Sequence, residues 1–380
     1  MIKDFDLAIL TEPLLAWYEK NKRDLPWRKE VSPYRVWVSE IMLQQTRVEA
    51  VKPFFERFLN RLPSVQDLAE CPEDELLKLW EGLGYYNRVR NMQKAAIQVV
   101  EQHGGTFPAD YEALLALKGI GSYTAGAIAS IAYQIPVPAV DGNVLRILTR
   151  VAEDDTDIMK ASFRKQVEEQ LTAYMQSDAF DAKRSGDFNQ ALMELGATVC
   201  VPNGAPNCEQ CPWQELCQAR KKNRILELPV KSKAKERRIE KRTVFVIRDG
   251  ERVAIRKRPK KGLLAGLYEL PNVEGHLSQD EALEYAKACQ LAPLRIQKLP
   301  EAKHIFSHVE WQMQGYAILI EEPEISGDGA ETRQNDEIEQ KMIYVEAATS
   351  EEKYAIPAAF AAYARYMGIK IGQERFLSEE

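Results

Sequence analysis

The sequence predicts two domains of different class: a mainly α N-terminal module over residues 1–220 and a smaller α+β domain over 242–375, joined by a basic linker at 221–241. Three observations carry this. Apolar residues recur at helical spacing through almost all of the first 220 positions, in runs punctuated by Pro and Gly clusters. After Arg242 the texture changes to short β-rich stretches mixed with helix-period ones. Between the two, residues 220–242 hold eleven Lys or Arg against three acids, a charge of +8 in a chain of net charge -6, so the remainder carries -14. At 380 residues and 45% hydrophobic content the chain can bury two ordinary cores.

The elements follow in order. Met1 to Leu7 shows no basic region leading into a long apolar run, and no stretch approaches the roughly 18 apolar residues of a membrane span, which predicts a soluble, cytoplasmic chain without a membrane partner. Ser32-Pro33 reads as an N-cap with a first-turn proline, and the apolar positions of 36–58 then recur at helical spacing. Glu40 stands inside that run, eight residues past the cap and so outside a capping box. It is either solvent-facing or functional. Further helical runs are predicted near 64–81, 87–103, 110–117, 122–133, 142–152, 160–176 and 187–198.

Between two of these runs, Leu117-Lys118-Gly119-Ile120-Gly121-Ser122-Tyr123 ends one helix, turns tightly and opens another. Such a turn aims backbone N–H groups outward at a helix N-terminus, a sequence-independent phosphate cradle, though a plain connector has the same pattern. Asp141 in Val140-Asp141-Gly142-Asn143 precedes the next helix and reads first as its N-cap. Cys200, Cys208, Cys211 and Cys217 fall within eighteen residues, while Cys71 and Cys289 stand alone. The quartet argues for metal rather than disulfides, and zinc or an iron–sulfur cluster would suit four thiolates. Beyond the linker, 243–248 and 253–258 flank Asp249-Gly250 as a hairpin; 279–290 reads as helix and 312–320 as strand. Net charge alone does not decide the partner, since phosphate contact needs only one basic face.

In the order hairpin, helix, Val-Asp-Gly-Asn, the chain resembles the helix-hairpin-helix DNA glycosylase superfamily. With Trp80-Glu81-Gly82-Leu83-Gly84-Tyr85-Tyr86 and Asp24-Leu25-Pro26-Trp27-Arg28 added, it closely resembles the adenine DNA glycosylases of the MutY family, densely over 20–220 and more sparsely beyond. The resemblance implies a monomeric, nucleoid-associated repair enzyme that removes adenine opposite 8-oxoguanine or guanine in double-stranded DNA. It implies that Glu40 protonates the base, that Asp141 stabilises the sugar cation, that Asn143 orients Asp141, and that Tyr123 lies beside both. Trp27, Arg28 and Gln190 would line the adenine pocket, Gln45 and Tyr85 would fill the gap left by the extruded base, Leu83 would be a further substrate-binding residue, and Lys118, Gly119 and Gly121 would meet phosphate. Bifunctional relatives carry a lysine where Tyr123 stands, and a phenol forms no Schiff base. The four cysteines would hold a four-iron four-sulfur cluster, with zinc the alternative; the first gap has seven residues, Val201 to Asn207, where the family has six.

The C-terminal domain resembles the Nudix-like module of the same family. Gly275 and Glu281 match the start of a Nudix box whose later acidic pairs are missing, which argues against a pyrophosphatase. Phe306, Ser307 and His308 match the loop that the family uses to read 8-oxoguanine.

Overall fold

A computed structural model of the chain describes residues 6–232, 236–321, 342–369 and 371. Two compact units divide it: residues 1–70 with 90–233, and residues 71–89 with 234–380.

The first unit is helical. Helices Leu7–Asn21, Gly142–Ala152, Ala161–Met175 and Ser185–Thr198 share one core that includes Leu14, Leu148, Leu171 and Leu192. Ser122–Tyr133 is buried over most of its length and packs between Pro33–Leu43 and Ser185–Thr198. Its small residues permit this. A Cβ added at Gly126 would lie 2.1 Å from the Pro138 carbonyl oxygen, so this helix and the strand-like approach to Asp141 touch through backbone.

Two expected helices are each broken. The run 36–58 forms Pro33–Leu43 and Val48–Arg61, because the polar stretch Gln44-Gln45-Thr46-Arg47 turns instead, with Gln45 at φ 62°. The run 64–81 forms Val65–Glu70 and Glu73–Leu79, separated at Pro72, which has no N–H to continue a helix. Apolar periodicity continues across both breaks, which is why spacing alone misses them.

Among the described residues, the second unit holds a seven-stranded mixed sheet: β1 (Arg238–Asp249), β2 (Arg252–Lys257), β3 (Tyr268–Glu269), β4 (Asn272–Glu274), β5 (Pro293–Ile305), β6 (Val309–Ile320) and β7 (Met342–Glu346). The order is β3-β2-β1-β6-β5, with β4 paired to β1 and β7 to β2. β1 and β6 run parallel; the other pairs are antiparallel. Asp249 faces Arg252, so Gly250, at φ 60°, and Glu251 form the two-residue turn. Alternate residues of β1 serve opposite cores: Val244 and Val246 join Trp311, Phe360 and Tyr363, while Phe245 and Ile247 join the Gln279–Ala288 helix. Among the described residues, no helix is long and apolar enough to cross a membrane.

Candidate active site

Ser32 caps the Pro33–Leu43 helix by accepting from Arg35 N–H at 3.2 Å, and the helix then carries Glu40 into the interior, where it is 7% exposed. Burial pushes the Glu40 carboxyl up to about 7; a hydrogen bond from Tyr123 opposes this, Asp141 reinforces it, and Arg28 opposes it. Tyr123 sits in the first turn after the glycine hairpin, and its hydroxyl donates to Glu40 Oε2 and lies 3.3 Å from Met193 Sδ. Burial, with the two carboxylates nearby, holds the phenol well above its ordinary range.

Asp141 caps the Gly142–Ala152 helix. One oxygen accepts from Val144 N–H at 2.8 Å and the other from Asn143 Nδ2 at 2.6 Å. Burial raises its pKa against these donors. The structural and functional readings of Asp141 are therefore compatible: the capped carboxylate lines the same cavity as Glu40. That cavity measures about 680 Å³ and also takes in Trp27, Arg28, Tyr123, Asn143 and Gln190. Arg28 Nε donates to Gln190 Oε1 at 3.2 Å. Gln45 reaches the cavity rim from the turn that breaks the expected long helix.

Lys118, Gly119 and Gly121 stand at the surface around the buried Ile120, with Gly119 at φ 76°. Gly121 is the N-cap of Ser122–Tyr133 and supplies no side chain to cap it, so first-turn amides are open to a ligand. The Lys118 backbone N–H donates to Gln98 Oε1 at 2.7 Å, and its side chain is exposed.

The second unit holds the remaining residues. Tyr85, at φ 49° and 47% exposed, has its hydroxyl 3.1 Å from Ser307 Oγ. Leu83 is buried, so its side chain is turned away from solvent. Ser307 and His308 are exposed on the loop joining β5 to β6, and Phe306 packs edge-on against Trp311 at 5.0 Å. Glu281 completes a capping box with Ser278, which gives it a structural use in place of the metal role a Nudix box would assign.

The four cysteines surround the end of the Ser185–Thr198 helix and the loop beyond it. Asn207 N–H donates to the Val199 carbonyl at 3.0 Å, closing the long first gap on itself. Burial first, then the neighbouring thiols, push Cys211 up to about 12; Cys208 and Cys217 are also raised. Arg150 Nη1 lies 3.3 Å from Cys200 Sγ. Among the described residues, no group of three or more His, Cys, Asp or Glu side chains converges closely enough to hold a metal ion.

Two pocket residues, Arg23 and Glu194, escaped the sequence reading, although Glu194 carries the same signal as Glu40: an acid inside an apolar helical run. Arg146 did too. It donates to Asn143 Oδ1 at 2.8 Å and to the Cys200 carbonyl at 2.8 Å, tying the residue beside Asp141 to the cysteine loop.

A buried acid and a capped carboxylate thus share one cavity, with Tyr123 from the first turn after the helical hairpin between them and the solvent-facing glycines. The model of the HhH-GPD superfamily base excision DNA repair proteins matches residues 38–173, and a NUDIX domain model matches 243–366. The adenine DNA glycosylase of Mus musculus is 37% identical over 378 residues, covering 83% of this chain and 72% of that one. That of Buchnera aphidicola subsp. Schizaphis graminum is 35% identical over 304 residues, covering 80% and 85%. A solved thermostable thymine-DNA glycosylase aligns at 27% identity and TM-score 0.50, over 56% of this chain and 96% of its own. The chain belongs to the adenine DNA glycosylase family, whose members hydrolyse N-glycosyl bonds.

Proposed function

We propose that the chain removes adenine paired with 8-oxoguanine or guanine in duplex DNA, without cutting the strand. The carrying observation is the pairing of two carboxylates in one cavity with different environments: Glu40 buried and raised to about 7, Asp141 held by two N–H donors. Glu40 keeps a proton near neutral pH and gives it to a ring nitrogen of an extruded adenine. The bond from sugar C1′ to the base then breaks, its electron pair leaves with the base, and the sugar becomes an oxocarbenium ion. Asp141, oriented by Asn143, stabilises that cation until water adds at C1′, and the water's proton returns to Glu40 or solvent. Tyr123 offers no amine for a Schiff base, which supports base release without strand cleavage. Exposed Ser307 and His308, with Tyr85 bonded to Ser307, suit a reader of the opposite base.

The test uses a duplex carrying A opposite 8-oxoguanine, with and without alkali after incubation. Strand breaks only after alkali are expected. Breaks without alkali would make the chain a lyase, and none under either condition would refute base release. Equal rates with A opposite G would remove the 8-oxoguanine preference from the proposal.

The cysteine quartet suits a four-iron four-sulfur cluster held by Cys200, Cys208, Cys211 and Cys217. Four cysteines within eighteen residues supply the all-thiolate donor set that such a cluster takes. Holding it, the four cysteines would tie the loop to the end of the Ser185–Thr198 helix, and the group would supply structure to the site. A brown protein with iron and sulfide is expected; a colourless protein with stoichiometric zinc would overturn this.

A further inference from the structure

Glu194 lies one helical turn beyond Gln190 and is 1% exposed. Its two oxygens collect four donors. Oε1 accepts from the Arg23 backbone N–H at 3.1 Å and from Arg23 Nε at 2.6 Å; Oε2 accepts from Arg23 Nη2 at 3.0 Å and from Arg28 Nη2 at 2.8 Å. The rest of the Arg28 fork is also tied: Nη1 donates to the Arg23 carbonyl at 3.0 Å, and Nε to Gln190 Oε1 at 3.2 Å. The Arg28 guanidinium also lies over the Tyr18 ring at 5.5 Å, but its hydrogen bonds other than the one to Gln190 run to Glu194 or to Arg23, which Glu194 itself holds. With its oxygen occupied by Arg28, Gln190 keeps its amide N–H groups for a bound base.

We propose that Glu194 is the positioning residue of the base pocket: it locks the Arg28 fork, thereby orients the Gln190 amide, and offsets arginine charge beside Glu40. The inference rests on the reading of Glu40 as the acid. The charged and titratable groups that act on Glu40 are Tyr123, Asp141 and Arg28, contributed by three different elements. Of these, Arg28 and the Tyr123 hydrogen bond favour the ionised form. Removing the Glu194 charge leaves Arg28 unbalanced, so Glu40 should lose its proton at a lower pH. A purely structural ion pair would alter stability without moving that limb.

The experiment is single-turnover adenine release by the full chain, with enzyme in excess, across the neutral pH range. Wild type, Glu194→Gln and Glu194→Asp are compared, with folding checked by circular dichroism. Glu194→Gln is expected to move the alkaline limb down by about one pH unit and to lower the maximal rate about tenfold. Glu194→Asp should restore the limb, because the charge remains, but not the maximal rate, because the shorter side chain cannot hold both arginines. A folded Glu194→Gln variant with wild-type limb and rate overturns the proposal. If that variant does not fold, Glu194→Asp decides, and a wild-type maximal rate in it is the overturning result. A wild-type chain that releases no adenine overturns the underlying reading of function, and this inference with it.

Discussion

Glu40 is kept in its acid form by removal from water, and that has a consequence for stability as well as chemistry. Its carboxyl is raised from 4.5 to about 7 in the folded chain. The folded state thus holds the proton more tightly than the unfolded one, so the contribution is fully present below pH 4.5 and is lost as pH rises through about 7. Glu40→Gln, which cannot ionise, should be more stable than wild type above neutrality, by about 2–3 kcal/mol. Urea titrations on either side of pH 7 measure this; a variant less stable than wild type at alkaline pH contradicts it. The same variant should bind the mispair in a gel-shift assay yet release no adenine, and near-normal turnover would make Glu40 a bystander. Glu40 and Asp141 were singled out in sequence because one stands past the Ser32 cap inside an apolar helix, the other is itself a cap, and both sit in motifs. Glu194 was not, because its meaning depends on Arg23 and Arg28, some 170 residues earlier, and helix acids are usually solvated.

The site depends on how elements approach one another. Tyr123 opens the Ser122–Tyr133 helix and Asp141 follows Pro138, and Gly126 lies where those two segments meet. A methyl group at Gly126 would sit 2.1 Å from a backbone oxygen, which no rotamer change relieves. Gly126→Ala is predicted to cost about 2–4 kcal/mol through forced separation of the helix from the Pro138–Ala139 backbone. It should also slow adenine release, since Tyr123 and Asp141 move apart. An unchanged denaturant midpoint would disprove it. At this scale the sequence was a good guide to element type and a poor one to breaks: the hairpin at Gly250 and the cap at Ser32 use local turn chemistry, whereas the turn at Gln45 leaves the apolar spacing intact.

The chain divides inside its basic stretch, and the first part of that stretch sides with the helical unit. Arg224 and Lys222 pair with Glu153, Leu228 is buried, and Arg150 donates to the Leu228 carbonyl at 2.9 Å, so the first part of the basic stretch belongs to the helical unit. The unit boundary falls between Lys233 and Ala234. Residues 71–89, encoded within the helical module, belong instead to the second unit: Glu81 accepts from the buried Ile356 N–H at 2.9 Å, Lys78 donates to the Tyr354 carbonyl at 2.8 Å, and Lys257 pairs with Asp74 at 2.6 Å. Composition could not reveal this, because the contacts span more than 180 residues. Trypsin is therefore expected to cut first at Lys231, Lys233, Lys235 or Arg237 and to spare Lys222 and Arg224. The two pieces should then remain together, since the N-terminal fragment still carries the 71–89 segment built into the other unit. Size-exclusion chromatography in native buffer should give a single peak that resolves into two fragments only in denaturant. Fragments that part in native buffer would show that those hydrogen bonds are too weak to hold the segment. Added duplex that slows the cut would indicate direct phosphate contact by the basic run, while unchanged cutting would leave it a tether.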